Sequence, residues 1–204
     1  MRVLVVFNHP YEGSFCNALL QSTLSGLHAA GHETDLIPLD NDGFDPVMRA
    51  KDLKAFVTAQ SNRTGATELL DPQLRDYMAR IEQADHILFI FPIWWELMPA
   101  LMKGFIDKLI FPGFVYDYTP SNKGMTLRME RLKGVTMITT MNTPGLIYRL
   151  LFGNAIKKAL LLGTFWKIGI KKRRWISFNS VKFVKPEQRE EWLAQVETEM
   201  HQLA

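Results

Sequence analysis

The chain has a single cysteine, Cys16, among 204 residues. That excludes an internal disulfide and any zinc site built on several thiolates. No G-x-G-x-x-G run and no P-loop follows the first hydrophobic segment, so the usual backbone cradles for a dinucleotide or a triphosphate are missing. No metal-ligand set has convincing spacing. The longest apolar stretches, such as 159–166, are far shorter than a bilayer-crossing helix. The opening MRVLVVFNHP is too short and too strand-like for a signal peptide. With the lone cysteine, this leads to the expectation of a cytoplasmic protein. A net charge of +3 is too weak a balance to call for nucleic acid, although it leaves room for an anionic ligand such as phosphate. What remains, 47% hydrophobic and 22% charged residues, is the make-up of a globular chain, expected to form one domain over residues 1–204.

Apolar runs alternate along that chain with helical patterns. Residues 3–7 are continuously apolar and rich in β-branched side chains, which predicts a strand buried on both faces. Further strands are expected at 34–39, 86–91, 135–140 and 175–178. Helices are expected from Ser14, a good N-cap, to just before Gly31; over about 48–59 in the polar segment 40–65; from Asp71-Pro72 to about 84; and over 99–109. A mostly apolar helix should lie within 146–162, and a terminal one over 186–203. Strands separated by helices need crossover connections, hence a doubly wound α/β fold with a five-stranded parallel sheet and helices on both faces. The expected strand order is 2-1-3-4-5, and ligands of such sheets sit outside the carboxyl ends of the strands where the order reverses. The loops after the first, third and fourth strands are therefore the candidate site.

The first loop, Asn8 to Asn17, offers a helix N-terminus, the hydroxyl of Ser14 and a possible cation in His9, a set suited to phosphate. It also reads as a capped helix beside an incidental histidine. A receiver domain would need an acidic cluster where Asn8-His9 stands. Cys16 could serve as a phosphatase nucleophile only with an arginine six residues on, and Ser22 is there. It reads instead as a small core or cofactor-flanking residue. The second loop carries Trp94 and Trp95 side by side after a buried strand. Neighbours on an extended chain point opposite ways, so at least one should face the cleft, where a flat aromatic ligand would stack, or a partner chain. The third loop, from Thr139 to Gly145, supplies hydroxyls and amides able to bond the edge of a heterocycle.

With these residues in place the chain resembles a known family, the NAD(P)H:quinone oxidoreductases of flavodoxin-like fold. That family includes DT-diaphorase-like enzymes and the ancillary oxidoreductases of glutathione-gated potassium efflux systems. The resemblance covers nearly the whole chain in element order. It is carried by H-P-x3-S-F from residue 9, F-P-I-W-W-E-L-M-P-A-L-M-K-G-F-I-D-K from 91 and G-F-V-Y-D-Y from 113. It implies a flavin, FMN or FAD, whose phosphates meet His9, Ser14, Phe15 and Asn17. Pro92, Ile93, Trp94 and Trp95 would line its ring, with Thr139, Thr140 and Asn142 at its pyrimidine edge. It implies NADH or NADPH as reductant and a quinone or similar electrophile as acceptor, reduced by two electrons in a ping-pong cycle. Tyr148 resembles a catalytic tyrosine that stabilises charge on the reduced flavin, although the histidine expected six residues on is Asn154 here. Tyr116 and Tyr118 resemble an aromatic pair that a neighbouring subunit presents over the substrate pocket, which implies a homodimer with sites at its interface. The alternatives are a one-electron flavodoxin-type carrier and a regulatory subunit in peripheral contact with a membrane transporter. The basic run Lys171 to Arg174 suits a 2′-phosphate of NADPH, the adenylate of FAD or an anionic membrane surface, and equally a solvated loop before the last strand.

Overall fold

The described residues form seven strands, seven α-helices and one π-helix. The computed structural model describes residues 1–59, 61–120 and 123–203. The main sheet is built from β1 (Arg2–Phe7), β2 (Glu33–Pro38), β3 (His86–Pro92), β6 (Gly134–Thr140) and β7 (Lys172–Phe178). Its order is β2-β1-β3-β6-β7, with every neighbouring pair parallel. Counted within the sheet this is the expected 2-1-3-4-5, and the order reverses between β1 and β3. The small strands β4 (Tyr116–Tyr118) and β5 (Met125–Leu127) form a separate antiparallel hairpin.

The continuous apolar runs are explained by two cores, one on each face. Successive side chains of a strand point to opposite sides. Val3, Val5, Phe7, Leu88, Ile90 and Ile138 therefore pack under α1 (Phe15–Ala29) and α7 (Pro186–His201). Leu4, Val6, Ile87, Phe89, Phe91 and Met137 enter the larger core on the other face. That face is covered by α4 (Pro72–Glu82), α5 (Ala100–Leu109) and the π-helix (Lys157–Trp166), where Phe89 stacks on Phe165 with centroids 5.4 Å apart. The α1–α7 approach is so close that a Cβ on Gly26 would lie 2.2 Å from the Glu197 carbonyl oxygen. Only glycine fits there.

Three expectations are corrected. The polar segment holds two short helices, α2 (Ala50–Thr58) and α3 (Arg63–Leu69), where one was expected. Asn62 caps the second by accepting the Gly65 N–H at 2.9 Å. The single apolar helix within 146–162 is instead α6 (Gly145–Leu150) followed by the π-helix. The last strand starts at Lys172, so most of the basic run is strand rather than loop, and Arg174 pairs with Glu199 of α7 at 2.7 Å.

His86 opens β3 in a buried position with Nε2 2.9 Å from the Thr136 hydroxyl. Burial pushes its pKa down to about 4 from an ordinary 6.5, and Lys172 and His32 push the same way. The unfolded chain thus takes a proton below 6.5 that the folded chain refuses until about 4. The His86 contribution is intact above that window and is lost as pH falls through it, by about 3 kcal/mol in total. Urea unfolding of the wild type and His86→Asn should accordingly diverge in pH dependence between 6.5 and 4, with the steeper loss in the wild type. Parallel profiles would contradict the buried neutral histidine.

Candidate functional site

Parallel pairing brings the ends of β1, β3 and β6 level. Phe7 pairs with Ile90, and Pro92 with Thr140. The ladder runs one step further on each side, through Asn8 N–H to the Ile90 carbonyl at 3.0 Å and Ile93 N–H to the Thr140 carbonyl at 2.7 Å. The three loops that follow surround a cleft of about 200 Å³ lined by His9, Ser14, Phe15, Cys16, Pro92, Ile93, Trp94, Thr140, Met141, Asn142 and Val181. Small-molecule pockets usually hold about 300–1,000 Å³. A ligand of that size would leave one side outside this chain.

The first loop presents donors. Ser14 caps α1 by accepting the Asn17 N–H at 3.1 Å, so its own O–H remains free to donate. The first-turn N–H groups of Phe15 and Cys16 begin the helix at the wall of the cleft, where backbone donors have no intrahelical acceptor. His9 accepts the Tyr11 N–H on Nδ1 at 3.1 Å, which leaves Nε2 carrying the proton of the neutral ring. Burial lowers its pKa, opposed by the hydrogen bond to Tyr11 and by Asp40. The expected cation is thus better described as a neutral N–H donor. Asn8, buried at the end of β1, donates to Asp40 at 2.7 Å but has no partner for Oδ1. Cys16 is buried and burial pushes its thiol up to about 12, which removes it as a nucleophile.

The second loop is a two-residue turn. Trp94 and Leu97 exchange backbone hydrogen bonds at 2.9 and 3.1 Å, and between them Trp95 and Glu96 both adopt positive φ, 49° and 64°. Such a turn ordinarily uses Asn-Gly, and bulky residues in it carry strain of about 1–3 kcal/mol each. Contacts from the third loop and from α6 (Gly145–Leu150) offset that strain. The Tyr148 hydroxyl donates to the Glu96 carbonyl at 2.9 Å and accepts the Ile156 N–H at 2.9 Å, while Thr143 donates to Glu96 Oε1 at 2.7 Å. Trp94 stands half out of the surface with His9 edge-on at 6.0 Å. Trp95 is 97% exposed.

A family model described as a flavodoxin-like fold matches residues 1–204. The chain belongs to the flavodoxin-like fold family. It is similar to the guinea-pig (Cavia porcellus) NAD(P)H dehydrogenase (quinone) 1, 28% identical over 148 residues that make up 68% of this chain and 53% of that protein. The chain spans about half the length of the first curated relatives it matches. A solved protein from Streptococcus mutans superposes with a TM-score of 0.84 at 26% identity, each chain covered completely at 100%. The NAD(P)H:quinone oxidoreductase from Methanothermobacter marburgensis superposes at 0.83 with 22% identity, over 98% of this chain and 96% of that one, and shares the fold.

In this flavodoxin-like chain the cleft gathers His9, Ser14, Phe15, Pro92, Ile93, Trp94, Thr140 and Asn142 of the residues read from sequence. It does not gather the others. Asn17 sits in the first turn of α1 and bonds Gln21 at 3.4 Å. Thr139 is buried and accepts the Trp175 indole N–H at 2.9 Å. Asn142 does line the cleft, but its Oδ1 already accepts the Lys182 N–H at 3.0 Å. Tyr116 is buried against Tyr118 with rings 5.5 Å apart, and of the two only Tyr118 lines a surface groove, which shares no lining residue with the cleft. Tyr148 is 1% exposed, and its hydroxyl hydrogen is committed to the loop. It braces the 94–97 turn and does not line the cleft. Sequence reasoning missed Val181 and Met141, which backbone bonds between the segments after β6 and β7 draw into the wall. Tyr148→Phe leaves the buried Ile156 N–H without its acceptor, at an expected cost of about 1–3 kcal/mol. It should also loosen the 94–97 turn, read as faster amide exchange at Leu97. A variant as stable as the wild type with unchanged exchange would refute the clamp.

Proposed function

We propose that residues 1–204 form one flavodoxin-like domain acting as a flavin-dependent NAD(P)H:quinone oxidoreductase. The observation that carries this is the convergence of the three loops on one cleft, with free donors on one wall and indole surface on another. The donors fit a flavin phosphate. Ser14, the N–H groups of Phe15 and Cys16, and neutral His9 would hold it. Pro92, Ile93 and Trp94 would lie along the ring, and Thr140 with the backbone of the third loop would meet its polar edge. When bound, the flavin supplies a centre that takes up and gives back a hydride. The chain's own work is to fix that centre at the mouth and to donate hydrogen bonds where negative charge develops. The names of curated relatives support nicotinamide as reductant and quinone as acceptor. Trp95, exposed beside the open side of the cleft, would be covered by a second copy, whose Tyr118 is the hairpin residue free to reach across.

On this reading reductant and acceptor use the open side of the cleft in turn. Steady-state rates with varied NADPH or NADH at several quinone concentrations should therefore give parallel double-reciprocal lines. Intersecting lines would contradict alternating use of one space, and absence of turnover with either nucleotide would contradict the activity itself.

A further inference from the structure

The two edges of the main sheet, β2 and β7, are finished differently. Alternate residues of a strand turn their N–H and C=O to the neighbouring strand, and those between turn theirs to the open edge. On β2 the N–H groups of Glu33 and, just beyond the strand, Leu39 bond β1, which turns Leu36 and Pro38 outward. Those outward groups are already spent. The Leu36 carbonyl accepts Arg80 at 2.7 Å, the Pro38 carbonyl accepts the Asp42 N–H at 3.0 Å, and proline has no N–H. On β7 the Phe178 carbonyl accepts the Met141 N–H at 2.9 Å. Phe178, Ile176 and Arg174 therefore face β6, and Arg173, Trp175 and Ser177 face outward. Among the described residues those three have no partner for their main-chain N–H or C=O. The register with β6 is unbroken from Lys172 to Phe178, and neither bulge nor proline blunts the edge. A groove of about 390 Å³ is lined by Arg174 to Asn179 in succession and by Trp192, Gln195 and Glu199 of α7. Successive side chains point to opposite faces, so six consecutive residues share one groove only along the strand's edge.

Charge tells what fits there. Lys171, Lys172 and Arg173 lead into the edge, and among the described residues none of them has a carboxylate partner. Glu199 in the groove is already paired with Arg174 at 2.7 Å. Charge guards only the first half of the strand, since Trp175 to Phe178 carry none. Whatever completes the edge must bring both main-chain hydrogen-bonding groups and negative charge. A nucleic acid brings only the charge. A second copy pairing through its own β7 brings the main chain, together with a second set of the same cations. An extended acidic segment of polypeptide brings both. We infer that the outer edge of β7 is a docking site for an acidic peptide segment of a partner protein, added to the sheet as a sixth strand. Antiparallel addition, the more stable pairing, sets the carboxyl-terminal residues of that segment beside Lys171 and Lys172. Its alternate side chains then lie toward α7, where Trp192 packs on Phe178 with centroids 5.2 Å apart. The groove shares no lining residue with the cleft, so this site stands apart from the proposed flavin chemistry.

Fluorescence anisotropy of a labelled peptide titrated with the full chain tests this without reference to activity. The probe alternates threonine and valine and ends in a run of glutamates at its carboxyl terminus. It should bind saturably and more weakly as salt is raised, and the same peptide ended in lysines should not bind. Ser177→Pro removes one outward N–H and leaves the ladder with β6 intact, a change that an edge strand tolerates. It should abolish binding, whereas Ser177→Ala, which keeps the N–H, should not. Lys171→Gln with Lys172→Gln should weaken binding about fivefold, with an unchanged circular-dichroism spectrum. Equal binding of the two peptides would overturn the inference, as would binding that survives Ser177→Pro. So would no saturable binding of the acidic peptide, or self-association that Ser177→Pro abolishes in a protein that ignores both peptides.

Discussion

Parallel pairing of β1, β3 and β6 is the constraint on which the candidate site depends. Each strand is buried on both faces, so the chain can pass from one to the next only by a crossover, and all three finish at the same edge. Their loops are then forced together whatever their sequences. What those sequences add is chemistry: a helix start with unspent donors after β1, a strained indole-bearing turn after β3, and after β6 a segment that holds the turn. The Tyr148–Glu96 bond joins the second loop to α6, and with the Thr143–Glu96 bond it offsets the strain of the positive φ angles of Trp95 and Glu96.

Much of the architecture was legible because it rests on local pattern. The runs at 3–7, 86–91 and 135–140 announce doubly buried strands, and Ser14 announces the start of α1. The edge strand β7 was harder. It is covered less completely than the central strands, so Lys172, Arg173 and Arg174 can occupy it, and a polar run reads as loop. The π-helix escaped because its repeat is not the 3.6-residue period sought in the sequence.

In the site, legibility followed the backbone and failed with side-chain partners. Loop position alone placed His9, Ser14, Pro92, Trp94 and Thr140 at one cleft. The roles of Tyr148, Thr139 and Tyr116 turn on groups that folding delivers from far along the chain, Glu96, Trp175 and the hairpin interior. Tyr148 looks from sequence like a residue of the reaction and stands in the structure as a strut. The family resemblance pointed to Tyr148 but could not show that its hydroxyl hydrogen is given to the Glu96 carbonyl.

The central claim is that three loops at one sheet edge form a flavin site, and one measurement meets it directly. The purified protein is denatured by heat, and the released chromophore is identified by chromatography. FMN or FAD, recovered in equimolar amount or taken up to that amount on addition, is the expected result. A colourless protein that takes up neither would contradict the account.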